Sequence, residues 1–284
     1  MQPVNTLAYF EIFKRPLTAW ELWRYDGEKI NFPEFLKNLD NLNNQNSFYY
    51  LENNNLILER HRRYNITRKK IKRAQKAARL FALLPWVQAV FLANQIGSHN
   101  LRAEGDLDFF IITKPNRLWL SRFIITGFSK IFGVRPRADK FTDTFCLSFW
   151  LDADNLSLEN FLLDNHDLYF AYWLTSLVPL IDKNNYYLKL INNNAWLKNI
   201  LPNWEIKNKI IINNNFKNNK IFNYLENIIY NWQIKHLPQD LKNILNQDTR
   251  VVINKQTAKV HSQDRRQEFY KKYLEIINNY EKIS

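Results

Sequence analysis

The sequence predicts an α+β protein in three parts: a helical N-terminal unit, a central mixed sheet carrying helices, and a helical C-terminal region. Three observations carry that expectation. Helical spacing with capping punctuation fills the first 65 residues. Apolar runs of strand length alternate with helical patterns over residues 86–185. Residues 186–284 carry helical patches interrupted by Asn clusters. A chain of 284 residues suffices for one large domain or two to three small ones.

In the first unit, TLAYFEIF sets Leu7, Phe10 and Phe13 on one helical face, and Pro16 ends that helix. Thr18 with Glu21 three residues later is a capping-box pattern opening a second helix. A third amphipathic piece carries Phe32, Phe35, Leu36 and Leu39. SFYYL and LILER, on either side of an Asn-rich turn at Asn53 to Asn55, read as a β-hairpin. Three helices and a hairpin are the parts of a winged helix, assigned to residues 1–65.

Residues 66–85 read as a basic linking helix. From Arg60 to Arg79 there are ten Lys or Arg and no acidic residue. Ile71, Ala74, Ala78 and Phe81 keep helical spacing, so the cations largely cover the other face. Two readings stay open for residues 60–79: a face for nucleic acid, or a solvated helix between two domains. The third helix of the first unit carries Glu34, Asp40 and only Lys37, which suits phosphate contacts poorly.

The central segment, residues 86–185, begins with the strand pattern VQAVFLA. A polar loop leads to the strand LDFFIIT, then to a helical stretch from Arg117 to Phe132. FTDTFCLSFWL is a third strand pattern, and DLYFAYWLTSLVPLI reads as a buried helix stopped near Pro179. In the last part, IFNYLENIIYNWQIKHL and RRQEFYKKYLEIINNYEKI carry helical spacing, which gives the helical region 186–284.

Composition narrows the function classes. An aromatic content of 15% with nine Trp argues for a globular chain. The single Cys146 excludes a disulfide framework and a Cys-based zinc site, so a reducing compartment is expected. No signal peptide follows Met1, and the longest apolar stretches are too short to span a bilayer, so the expectation is a cytoplasmic protein without membrane partners. The net charge of +13 is uneven. Residues 1–85 hold 15 Lys/Arg and 8 Asp/Glu, residues 86–185 hold 9 and 11, and residues 186–284 hold 16 and 8. Basic ends around a slightly acidic middle attract polyanions and nucleotides; the joint enrichment of Lys, Asn, Ile and Tyr is equally what coding bias produces.

The acidic middle holds the most specific motif, FLANQIGSHNLRAEGDLDFFIIT. Side chains alternate along a strand, so Asp106 and Asp108 project from one face. Two adjacent carboxylates repel unless something positive sits between them, and Mg²⁺ with oxygen ligands is the usual remedy. A Mg²⁺ ion bridging the phosphates of a nucleoside triphosphate stabilises charge that develops in nucleotidyl transfer.

The order of strand, small polar pair, loop, D-x-D and buried strand resembles the nucleotidyltransferase superfamily that includes DNA polymerase beta. In that family a Gly-Ser pair directly follows the first strand. Gly97-Ser98 leaves seven residues before Asp106, whereas Asn94-Gln95 leaves ten and directly follows the apolar strand. Asn94 and Gln95 therefore take the Gly-Ser slot as expected phosphate-binding residues. An N-terminal winged helix beginning TLAYFEIFKRPLTAWELW ahead of such a domain is similar to a group of bacterial proteins with that two-part layout, over roughly residues 5 to 185. RLWLSR, FCLSFWL and DLYFAYWLTSLVPLID share the likeness.

The resemblance implies a third carboxylate from a neighbouring strand. Asp143 is the only acid on FTDTFCLSFWL, near its start, and Asp152 follows the strand; its central polar positions are Cys146 and Ser148. Arg117 and Arg122 are candidate phosphate partners. KVHSQDRR either folds back over the nucleotide or starts a capped helix. Two functions follow. One is a Mg²⁺-dependent nucleotidyltransferase acting from an NTP on an unidentified hydroxyl acceptor, with Asp106, Asp108 and Asp143 as catalytic residues. The other is a catalytically reduced member that binds nucleotide or nucleic acid as a regulatory or interaction module.

Overall fold

Helix α1 (Pro3–Glu11) buries Leu7 and Phe10 of the expected apolar face, but it ends before Phe13, which is half-buried beyond its last turn. The computed structural model describes residues 3–51, 55–94, 96–136, 142–164, 166–206 and 220–283. Strand β1 (Leu17–Thr18) runs directly into α2 (Ala19–Tyr25), and Thr18 caps that helix as its sequence predicts. The Thr18 hydroxyl accepts from the Glu21 amide at 3.3 Å, and the Glu21 carboxylate accepts from the Thr18 amide at 2.9 Å. Asn31 caps α3 (Phe32–Leu36) in the same way, accepting from the Glu34 amide.

The hairpin lies earlier than expected. Strands β2 (Asn44–Gln45) and β3 (Phe48–Tyr49) form it, and β3 pairs with β1 to give a three-stranded antiparallel sheet. Asn46 and Ser47 turn it with positive φ. LILER is not a strand but the first turns of α4 (Asn55–Phe81), because Glu59 and Arg63 pair at helical spacing and Ile57 turns inward. A boundary at residues 65 and 66 thus falls inside one continuous helix. The expected turn at Asn53 and Asn54 lies outside the described residues.

Strands β4 (Val87–Leu92) and β5 (Leu107–Thr113) are the two apolar runs around the polar loop, paired antiparallel. Helix α5 (Leu118–Ile131) crosses over to β6 (Phe145–Asp152), which lies parallel to β5. After α6 (Leu168–Thr175) the chain makes β7 (Val178–Asp182) rather than extending the helix. Pro179 ends the helical option, and its missing donor is tolerated because β7 is an edge strand. Helices α7 (Tyr186–Asn192), α8 (Leu197–Ile200), α9 (Lys220–Lys235) and α10 (Gln239–Lys242) follow.

The C-terminal region is not all helical. Strands β8 (Val251–Asn254) and β9 (Thr257–Val260) form a hairpin that joins the sheet beside β6, before α11 (Arg266–Ile283) closes the chain. The six-stranded sheet has the order β7-β4-β5-β6-β9-β8.

Two cores cover its faces. One joins Phe91, Phe110 and Phe149 to α6–α8 and to Phe10, Leu22 and Phe35 of the first unit. The other joins Val90, Phe109 and Trp150 to α4 and α5. Strict alternation along β6 would put Phe149 and Leu147 on one face. A bulge between its pairings with Asp108 and Phe110 reverses that, sending Phe149 to the first core and Trp150 to the second. Burial of each such side chain contributes about 1.5–3 kcal/mol, so the first core ties the N-terminal helices to the sheet. Among the described residues no helix is long and apolar enough to cross a membrane.

Candidate functional site

Asp106 sits at the foot of β5 and Asp108 one turn of the pleat further on. The strand is held there on both sides: the Ala93 amide donates to the Asp108 carbonyl at 2.9 Å, and the Leu107 amide to Thr144 at 2.8 Å. Across the parallel pairing, Cys146 is in register with Asp108. Ligand atoms of Asp106, Asp108 and Cys146 all lie within 4.8 Å of one another. The two carboxylates therefore converge, and the third side chain beside them is a thiol.

The thiol leads into a polar chain. Cys146 Sγ donates to Ser148 Oγ at 3.3 Å, and Ser148 Oγ lies 2.9 Å from His261 Nε2. His261 arrives from the end of β9, which pairs antiparallel with β6, and its amide is fixed by the Arg250 carbonyl. KVHSQDRR thus folds back against the acid pair and also starts a capped helix, since the Asp264 carboxylate accepts from the Arg266 amide at 3.0 Å.

Burial dominates the electrostatics. It pushes the Asp108 carboxyl up to about 7, with the neighbouring Asp106 charge adding to the effect. Asp106 is raised too, again by burial, with Lys70 and Arg135 opposing. Burial beside Asp108 drives the Cys146 thiol well up, so it stays protonated at neutral pH. His261 is pushed down to about 4 by burial and then by Lys259, which leaves the imidazole neutral.

Asp108, Ser148 and His261 line a cavity of about 310 Å³, and Asp106 and Cys146 lie outside that lining; the volume is at the lower end of the range for small-molecule sites. Asn94, Asp108, Ser148 and His261 supply polar groups; Phe149, Tyr169, Trp173 and Phe269 supply aromatic surface. Lys259, Arg265 and Arg266 bring positive charge. Arg266 is committed to Asp167 at 2.6 Å and Asp264 at 2.5 Å, and Lys259 donates to the Thr249 carbonyl. Burial lowers Lys259 to about 8.

The other residues singled out in the sequence go elsewhere. Asn94 donates through Nδ2 to the Asp106 carbonyl at 2.9 Å and lines the cavity, so it braces the acid motif; Gln95 lies outside the described residues. Gly97 packs against Phe10 and Arg15, and its amide donates to Ser176 Oγ at 2.7 Å, a structural contact. Asp143 is not brought into the cluster. It sits in a turn with positive φ and pairs with Lys70 at 3.0 Å and Arg73 at 3.6 Å.

Asp152, at the far end of β6, accepts from the Asn116 and Asp154 amides. Arg117 is buried and donates to Asn223 at 2.6 Å, while Arg122 lies over Trp119 and donates to Gln233. Both arginines join α5 to α9, two helices whose apolar residues belong to the second core.

The missed residues are Cys146, Ser148 and His261 as one chain. The polar positions inside FCLSFWL were the signal for the first two. No family model, no curated protein and no solved structure matches this chain.

Proposed function

We propose that the chain is a nucleotidyltransferase-like protein that binds Mg²⁺ with a nucleoside triphosphate at Asp106 and Asp108 and moves a nucleotidyl group to a hydroxyl acceptor. One observation carries this reading: two carboxylates converge at the end of a buried strand, and one of them, Asp108, lines a 310 Å³ cavity with aromatic and cationic walls. The donor set fits the ion in part. Mg²⁺ is commonly held by one or two carboxylates, with waters and phosphate oxygens completing the shell. A thiol is a poor ligand for so hard a cation. When bound, the ion would neutralise charge on the phosphates.

The chain's own residues have separable tasks. Asp106 and Asp108 hold the cation, Asn94 keeps the acid motif seated, and the aromatic wall offers a stacking surface for a base. The order helix, strand, helix, helix, hairpin in the first unit supports a winged-helix reading.

A second reading is favoured by the thiol. With Cys146 at the place where the resemblance implies a third carboxylate, the protein is a catalytically reduced nucleotide-binding module. Calorimetric titration of ATP, GTP, CTP and UTP with Mg²⁺ tests nucleotide binding; pyrophosphate release in the presence of a panel of hydroxyl acceptors (RNA 3′ ends, sugars and protein hydroxyls) separates the readings. Binding with release supports transfer, binding without release supports the module, and no binding of any NTP removes both.

A further inference from the structure

We infer that the exposed face of α4 is a docking surface for duplex DNA, read through its phosphates and independent of the acid-pair site. The ten cations from Arg60 to Arg79 divide by position. Arg60, Arg63 and Lys70 turn inward. Arg60 pairs with Glu21, Arg63 with Glu59 and the Phe13 carbonyl, and Lys70 with Asp143 and the Gly105 carbonyl. The remaining seven, Arg62, Arg68, Lys69, Lys72, Arg73, Lys76 and Arg79, are exposed.

At 3.6 residues per turn those seven fall within an arc of about 140°, and at about 1.5 Å per residue they run for about 25 Å. No acidic residue occurs between Arg60 and Phe81 to interrupt the stripe. Among the described residues Arg68, Lys69, Lys72, Lys76 and Arg79 have no carboxylate partner; Arg62 and Arg73 reach one only at 3.6 Å. A solvated linking helix needs charge but not one sign along its whole outer face, and like charges at i,i+4 oppose the helix.

Charge complementarity selects a polyanion, and shape selects the duplex. A helix about 10–12 Å across matches the roughly 12 Å major groove of B-form DNA. Arg68, Lys72 and Arg79 lie along one margin of the arc and Arg62 and Arg73 along the other, opposite the two phosphate walls of a groove. The stripe lacks the run of exposed aromatics on which single-stranded bases stack; its exposed rings, His61 and Tyr64, pack on Phe48 and His99. Helix α3, with five residues and exposed Glu34, is unsuited to that role. Contacts made only to phosphate give binding without base preference.

The test uses the full chain and a fluorescein-labelled 30-base-pair DNA duplex, followed by anisotropy across a salt series. The expected plot of log K against log salt has a slope near −5, from about six phosphates at about −0.9 each. Arg62→Glu with Lys69→Glu and Lys76→Glu should weaken binding at least 30-fold at fixed low salt. These positions are exposed, so the melting temperature should hold, and a charge-neutral Gln triple variant gives an intermediate loss. Asp106→Asn with Asp108→Asn must leave duplex binding unchanged, which separates this surface from the nucleotide site. Equal affinity of wild type and the Glu triple variant overturns the inference. Tighter binding to a 30-nucleotide single strand, or to phosphatidylserine vesicles, overturns it as well.

Discussion

Cys146 stands in register with Asp108 across the parallel pairing of β5 and β6, and its thiol completes a three-residue cluster with the acid pair. The relationship defines what the site lacks. A carboxylate there would bring a third oxygen ligand to the same point in space.

Cys146→Asp should therefore strengthen Mg²⁺ binding by at least tenfold, about 1.4 kcal/mol, while lowering the melting temperature of the metal-free protein. Three half-buried carboxylates repel more than two. Thermal shift in EDTA and in Mg²⁺ reads both effects. A variant that melts as wild type in both conditions would mean that position 146 does not face the acids.

Stability of the metal-free protein should fall as pH rises from 5 to 8. Burial and the Asp106 charge push Asp108 up to about 7, so the folded state holds that proton more tightly than the unfolded one. Its contribution is complete below about pH 4 and is lost as pH passes 7. Asp26, raised to about 6 by burial, acts with the same sign. Asp108→Asn should flatten the slope of melting temperature against pH without abolishing it. An unchanged slope counts against the buried environment assigned to Asp108.

Glu21 ties three elements together. It closes the capping box of α2 and accepts from Arg15 at 2.7 Å and from Arg60 at 2.8 Å. Although burial opposes its charge, the two arginines hold its carboxyl down to about 2. That stability is present above the ordinary carboxylate range and is lost as pH falls toward 2. Glu21→Gln should cost about 3 kcal/mol in urea unfolding, because Arg15 is left buried without its counter-charge. A loss under 1 kcal/mol would show that the cluster is solvated.

Gly97→Ala should destabilise the fold by about 2 kcal/mol or more. Gly97 has φ +77°, and a Cβ there would come within 2.6 Å of Phe10 Cε1 and 2.7 Å of Arg15 Nε. Circular dichroism melts decide it. An unaltered midpoint would mean that the loop does not press against α1.

What the sequence reveals tracks how local the cause is. The Thr18–Glu21 box, the apolar face of α1 and the convergence of Asp106 with Asp108 depend on neighbours within a few residues, and spacing exposes them. The bulge in β6 does not announce itself in FCLSFWL, because only pairing with β5 determines where the extra residue is absorbed. Strands β8 and β9 have four residues each, around Lys255 and Gln256, and are stabilised as strands by docking beside β6. His261 reaches Ser148 across a separation of 113 residues, which no local pattern encodes. Arg117 and Arg122 read as phosphate partners because the helix they bond to, α9, lies far along the chain.

The most direct measurement is calorimetric titration of a Mg²⁺–NTP complex into wild type and into Asp106→Asn with Asp108→Asn. Saturable binding to the wild type is expected, with none to the double variant and a melting temperature in EDTA no lower for the variant. Nucleotide affinity that survives loss of both carboxylates would contradict that expectation.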